Sequence, residues 1–373
     1  MKAIGIILAG GNSERRLGEL TITRAASAMP VGSCYRAIDF PLSNMSSSGI
    51  QKVAVITQYN SRSLQDHLVS SKWWDFGRKQ GGLFVLTPYI SGDNSFWFRG
   101  TADSIYQNIS FLKRSIEKYV VITSGDSVYK MNYRDIIKYH VEKGADITVV
   151  SKKFAEGEKD LTKLGVMQLD DDGRIVDFEE KPIDPQTNIA SLGIYVMERT
   201  LLIDLLEKII PDGRYDFVKD VIIRMRRTLK IYSYAFEGYW NSVGGGIMDY
   251  YHTNMDFLKK EVREEFTKNF PYIATKPKDE PPVKYNFEAS ASNTIVGNGS
   301  IINGHIEGSV LFRRVYVGEN TNVKDSIIME NCHIGDNCVI ENVIFDKGVT
   351  VSDGSVIKGE KDNPLVVKKN SKL

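Results

Sequence analysis

An apolar run, Tyr119–Thr123, ends in Ser124-Gly125-Asp126. A carboxylate at the end of a buried strand suits an enzyme that holds a hard divalent cation against phosphate oxygens. Such cations are commonly held by one or two carboxylates plus the substrate's own phosphates. A second segment, Tyr239-Trp240-Asn241-Ser242-Val243-Gly244, also runs into glycine, but it offers a hydroxyl and an amide where a second carboxylate would serve. The pair reads as a nucleotide-handling site with part of its metal site missing.

Other polar clusters accompany these two. Leu8-Ala9-Gly10-Gly11 closes the first apolar run. Glycines there let the backbone approach a nucleotide and aim N–H groups at phosphates. A strand-ending Gly-Gly alone is a common turn; Arg15, Arg16 and Arg24 strengthen the signal with guanidinium groups suited to phosphate oxygens. Tyr35–Asn44, Trp97–Asp103, Phe178-Glu179-Glu180-Lys181-Pro182 and Ser191–Tyr195 complete the set. Asp39 reads as a structural partner of Arg36, and Asp103 as the carboxylate that would complete a rearranged metal site. The five histidines lie far apart, and the three cysteines lack metal-ligand spacing, which fits a reducing cytosol.

The elements that position these residues alternate. Apolar runs at residues 3–8, 52–57, 119–123, 145–150 and 191–196 lack polar alternation, as strands buried on both faces do. Amphipathic stretches at 104–118 and 133–143 lie between them. This spacing predicts an α/β domain with a mostly parallel sheet covered by helices over residues 1–245. Residues 246–290 read as a helix over 250–268, with Tyr251, Met255 and Leu258 as its packing stripe, followed by a linker with four prolines between 270 and 285. Residues 291–373 repeat an aliphatic–Gly–polar pattern. Val296-Gly297, Val317-Gly318 and Ile334-Gly335 each precede another aliphatic residue, the signature of a left-handed parallel β-helix of hexapeptide repeats. Residues 353–373 read as a fraying polar tail. At 373 residues, with a net charge of +1 and 42% hydrophobic content, the chain gives no sign of nucleic-acid or membrane partners. No apolar stretch approaches the roughly 20 residues that span a bilayer.

Taken in order, these motifs resemble the bacterial glucose-1-phosphate adenylyltransferases, over nearly the whole chain, which implies that residues 1–245 form a Rossmann-like nucleotidyltransferase domain. The nearest resemblance is to the D-type subunit of Gram-positive glycogen synthesis, which pairs with a catalytic C-type homologue. The family reaction joins ATP and glucose 1-phosphate into ADP-glucose and pyrophosphate. The resemblance implies that Leu8, Ala9, Gly10, Gly11, Gln58, Phe98, Gly100 and Thr101 line the adenine-nucleotide site. It implies that Gly165, Glu180, Lys181 and Ser191 hold the sugar phosphate, that Arg16 assists catalysis, and that Asp126 is an Mg²⁺ ligand.

The chain departs from the family pattern at three places. The family's Ala-Gly-Gly-x-Gly-x-Arg-Leu becomes Ala9–Leu17 with one extra residue, without the later glycine and with Glu14 where triphosphate would lie. Ala26 stands where the family has a phosphate-facing lysine. Asn241-Ser242 replaces Arg-Asp, so the second metal carboxylate becomes Ser242. The expected role is a cytoplasmic regulatory subunit, weakly catalytic or non-catalytic, in a heterotetramer with a catalytic homologue. It would bind ATP or ADP-glucose, and glucose 1-phosphate or another sugar phosphate, with Mg²⁺ only at a weakened site. The alternatives are an adenylyltransferase active by itself, a sugar-phosphate sensor acting alone, and a hexapeptide-repeat acyltransferase, for which His305 and His333 lack a clear partner.

Overall fold

The computed structural model describes residues 2–77, 81–90 and 96–373. A nine-stranded sheet organises the N-terminal part. Strand β1 (Ala3–Leu8) pairs in parallel with β2 (Lys52–Ile56), and β2 with β3 (Gly82–Leu86) at the edge. On its other side β1 takes β4 (Tyr119–Ser124), again in parallel. The short β5 (Ser127–Tyr129) lies outside this sheet. Then come β6 (Ile147–Lys153), β7 (Gly165–Leu169), β8 (Ile175–Glu180), β9 (Ile189–Glu198) and β10 (Ile231–Ala235). β9 runs antiparallel to β4, β6 and β7; β8 is antiparallel to β7, and β10 parallel to β6. β11 (Trp240–Ser242) pairs with β5 in a separate two-stranded ladder.

The continuous apolar runs have a simple cause. Ile4 and Ile6 of β1 face one core, and Ala3 and Ile7 face the other. Helices α1 (Asp39–Ser47) and α3 (Tyr133–Glu142) cover one face with Leu42, Met45 and Ile136. Helices α2 (Thr101–Tyr106) and α4 (Arg199–Ile209) cover the other with Ile105, Leu202 and Leu206. β3, β7 and β10 were not among the expected apolar runs. β3 is a half-exposed edge strand with Phe84 and Val85 open to solvent, so pairing with β2 rather than burial defines it.

Where one helix was expected over 250–268, two form: α5 (Ile247–Asp256) and α6 (Lys260–Thr267). Arg263 donates to the carbonyls of Phe257 and Leu258, satisfying groups that the helix end leaves orphaned. The bend lets Phe257 and Phe266 stack at 5.4 Å beneath Phe40.

The C-terminal strands form three five-stranded parallel sheets, the left-handed β-helix that the repeats imply. Val317 and Ile334 stack in one sheet, above Ile302; Val296 lies in a different one, so the first copy of the repeat is displaced by a face. Asn320 and Asn337 take corners with φ of 54° and 57°. The tail does not fray. Val356–Lys358 and Leu365–Val367 complete the last coil, and Ser371 and Leu373 bond to the backbone of Thr350 and Ser352. An open coil end would leave those groups unpaired.

One face of the β-helix shares a core with α5 and α6: Val310, Phe312 and Ile327 meet Tyr251, Phe257 and Phe266. Beside it, Arg24 pairs with Asp346 at 2.6 Å, both almost fully buried. Arg24 is therefore a tie between the domains, not a phosphate ligand. Removing one partner of a buried pair leaves the other charge uncompensated. Asp346→Ala is expected to cost about 3–5 kcal/mol in urea denaturation. Arg24→Met/Asp346→Leu should recover most of that loss.

Candidate functional site

The C-terminal ends of β1, β2 and β4 open into a cleft of about 570 Å³. That volume suits a small-molecule ligand, and the end of a parallel sheet is where such folds bind one. Its wall carries Leu8, Ala9, Gly10, Gly11 and Arg16 from the first loop, Asp126 after β4, and Ser242 at the end of β11. Gln58, Phe98, Gly100 and Thr101 form one end; Gly165, Glu180, Lys181 and Ser191 form the other. The residues that the resemblance assigned to the site thus line one cavity, whereas Arg15, Arg24 and Asp103 do not.

At the first loop, Gly10 packs against Gln58, whereas Gly11 leaves its backbone facing open space. The extra residue is absorbed in a single helical turn, Glu14–Leu17, whose Arg16 and Leu17 amides donate to Ser13 O. Glu14 is exposed and is not among the lining residues, so the expected repulsion of triphosphate does not arise from the wall. Gln58 accepts from Phe98 N at 2.7 Å, which fastens the Trp97–Asp103 segment to β2. Asp103 is fully buried and accepts from Arg99 N, Arg99 Nη2 and Gln107 Nε2. It anchors Arg99, which also stacks 3.9 Å over Tyr215, and it does not reach the cleft wall. Asp39 is likewise structural, accepting from Arg36 N and bonded to His67 at 2.6 Å.

The other end is built from strand register. Glu180 of β8 stands opposite Gly165 of β7. A Cβ at Gly165 would lie 2.9 Å from Glu180 Oε2 and 2.5 Å from the Phe178 ring, so only glycine leaves that carboxylate its place. Lys181 turns out of the strand with φ 53°, donates its amide to Leu164 O, and pairs with Glu180 at 3.0 Å. Ser191 Oγ accepts from Gly193 N.

Between the two ends, β5 and β11 set Ser242 opposite Ser127, one residue after Asp126. Ser124 Oγ donates to Asp126 Oδ1, and Val243 N donates to the Asp126 carbonyl. Behind Ser242, Asn241 accepts from Lys159, which also pairs with Asp249 at 2.6 Å. Lys163 reaches the other Asp249 oxygen at 3.1 Å. Burial pushes the Asp249 carboxyl up, but Lys159 and Lys163 outweigh it and hold it below its usual range. Burial raises the Tyr195 phenol, so this lining group stays neutral.

Residues 4–260 match the family model for nucleotidyl transferases, and residues 281–364 match that for the GlmU-like C-terminal hexapeptide. The glucose-1-phosphate adenylyltransferase of Bacillus subtilis is 40% identical over 365 residues, 97% of this chain and 95% of its own. That of Thermotoga neapolitana is 40% identical over 329 residues, 86% of this chain and 76% of its own. The chain belongs to the glucose-1-phosphate adenylyltransferase family.

As an adenylyltransferase relative, the chain would be expected to hold Mg²⁺ at Asp126. The residues present do not fit that ion. Asp126 is a single carboxylate that already accepts the Ser124 hydroxyl, and Ser242, where the family pattern has a second carboxylate, adds no charge. Among the described residues, no group of three or more His, Cys, Asp or Glu side chains is arranged for a metal. The sequence reading missed Lys163, Tyr59, Phe217 and Leu164 on the wall. Lys163 alone left a signal, standing two residues before Gly165. A bond to a charged group is worth about 1.5–3 kcal/mol. Lys181→Met should therefore weaken glucose 1-phosphate binding about 10- to 100-fold in titration calorimetry.

Proposed function

We propose that this chain is a non-catalytic or feebly catalytic subunit of a glucose-1-phosphate adenylyltransferase of glycogen synthesis, of the D type. It binds sugar phosphate or sugar nucleotide and modulates a catalytic homologue within a hetero-oligomer, a heterotetramer by preference. The substrates of the whole enzyme, ATP and a sugar phosphate, favour the cytoplasm for that work. No helix among the described residues is long and apolar enough to cross a membrane.

One observation carries the reading: Ser242, not a carboxylate, stands opposite Ser127, the residue after Asp126, and Asp126 and Ser242 line the same cleft. Transfer of the adenylyl group needs the charge developing around the α-phosphorus to be neutralised, and positioned electrostatics supply most of that. Ala26, Asn241 and Ser242 are uncharged at the places where the family pattern carries lysine, arginine and aspartate. The sugar end, with Glu180, Lys181 and Ser191 in place, supports ligand binding without turnover. The second reading, an adenylyltransferase active by itself, is favoured by about 40% identity to enzymes of that name over most of the chain.

Two assays separate them. Purified alone with ATP, Mg²⁺ and glucose 1-phosphate, the chain should turn over at least about 100-fold more slowly than a catalytic homologue. Comparable turnover would establish the second reading instead. Mixed with a catalytic homologue, it should co-elute and change that enzyme's rate. A triple variant, Ala26→Lys/Asn241→Arg/Ser242→Asp, should raise the turnover of the isolated chain about tenfold or more.

A further inference from the structure

We propose that the cleft takes a phosphate-bearing sugar nucleotide as the free anion, with Lys163, rather than a resident divalent cation, meeting the charge beside Asp126. This rests on the reading of the chain as a binding subunit. It adds how the ligand is held.

The misfit at Asp126 is one half of the case. A hard cation of this class demands near-octahedral oxygen ligands at short range and is usually fixed by one or two carboxylates. Here there is a single carboxylate, Asp126, which accepts the Ser124 hydroxyl, and the residue at the place of the family's second carboxylate, Ser242, is a neutral hydroxyl opposite Ser127.

The other half is charge built into the wall. Lys163 lines the cleft, and its side chain is 43% exposed. It comes within reach of the Asp126 region through one loop. Gly244 lies against Asp126 and Gly245 against Asp249, and a Cβ at Gly246 would stand 3.8 Å from Lys163 Nζ and 3.9 Å from Arg16 O. Asp249 does not use up the Lys163 charge. It is already paired with Lys159 at 2.6 Å in a buried contact; Lys163 also stands 3.5 Å from the half-exposed Asp160, so these four side chains sum to zero, but of the four only the Lys163 ammonium lines the cleft. Arg16 and Lys181 line the same wall, and the lining carboxylates are Asp126 and Glu180, the latter paired with Lys181. The cavity therefore faces a diphosphate with cations fixed to the chain. An ammonium on a flexible stem acts on phosphate as a point charge, as a metal ion does.

The test is binding, not turnover. ADP-glucose is titrated into the full-length protein by calorimetry, in excess Mg²⁺ and in excess EDTA. The expected Kd is the same within about twofold, and Lys163→Met weakens it about tenfold or more in EDTA. In parallel, Mn²⁺ electron paramagnetic resonance with ADP-glucose present should show no protein-bound ion in the wild type and a bound ion in Ser242→Asp. A Kd at least about tenfold weaker in EDTA overturns the proposal. So does Mn²⁺ bound by the wild type, unchanged affinity in Lys163→Met, or no binding under either condition. Any of these results with turnover still absent leaves the binding-subunit reading standing. Rapid turnover by the isolated chain removes that reading whatever the calorimetry shows.

Discussion

The site depends on β1 being clamped on both sides. Its pairing with β2 and β4 continues past the strand ends: Ala9 N donates to Ile56 O, and Gly125 N donates to Leu8 O. Two glycine-containing segments, far apart in sequence, are thereby fixed to one another through the backbone. Because β1 is buried on both faces, a one-residue slip would exchange the residues facing each core. The Gly10–Gly11 loop and Asp126 are therefore held in relation to each other whatever the cleft binds.

From that fixed floor the chain makes one excursion that decides the chemistry. After Asp126, β5 leaves the main sheet and finds β11, more than a hundred residues later in the chain. The ladder brings Ser242 opposite Ser127 and Gly244 against Asp126, and it brings Asn241, Lys159 and Asp249 in behind. A segment that would otherwise supply negative charge supplies a small polar lining backed by lysines. The three departures from the family pattern do not act alike in space. Ala26 and Ser242 line the cavity, whereas Glu14 is exposed outside its wall.

The β-helix is joined to this machinery by more than a linker. Phe257 and Phe266 fill a core common to both domains, and Arg24 reaches across to Asp346. A buried ion pair adds little net stability over a well-packed apolar pair, yet it is costly to break. It fixes one docking of the domains.

Much of the fold was legible in the sequence because its signals are local. Apolar runs without alternation marked β1, β2, β4, β6 and β9, since double-sided burial leaves no room for polar side chains. The repeats marked the β-helix, since each coil must place an aliphatic residue inward and a tight residue at the corner. The residues at the cleft were legible through the resemblance of their motifs to a family, since a strand-ending Gly-Gly by itself is a common turn. Long-range partnership was not legible. Arg24 looked like a phosphate ligand until Asp346, 322 residues away, was seen to hold it. Asp103 looked like a spare metal carboxylate until Arg99 and Gln107 were found to enclose it. Lys163 went unremarked because only the fold brings it to the cleft wall, beside Asp249 from more than eighty residues later in the chain. The type and order of the residues determined the fold class and the contents of the cleft. Only tertiary structure decided which charges stay free to meet a ligand, because a charge spent on a buried partner reads the same in sequence as one left facing the cavity.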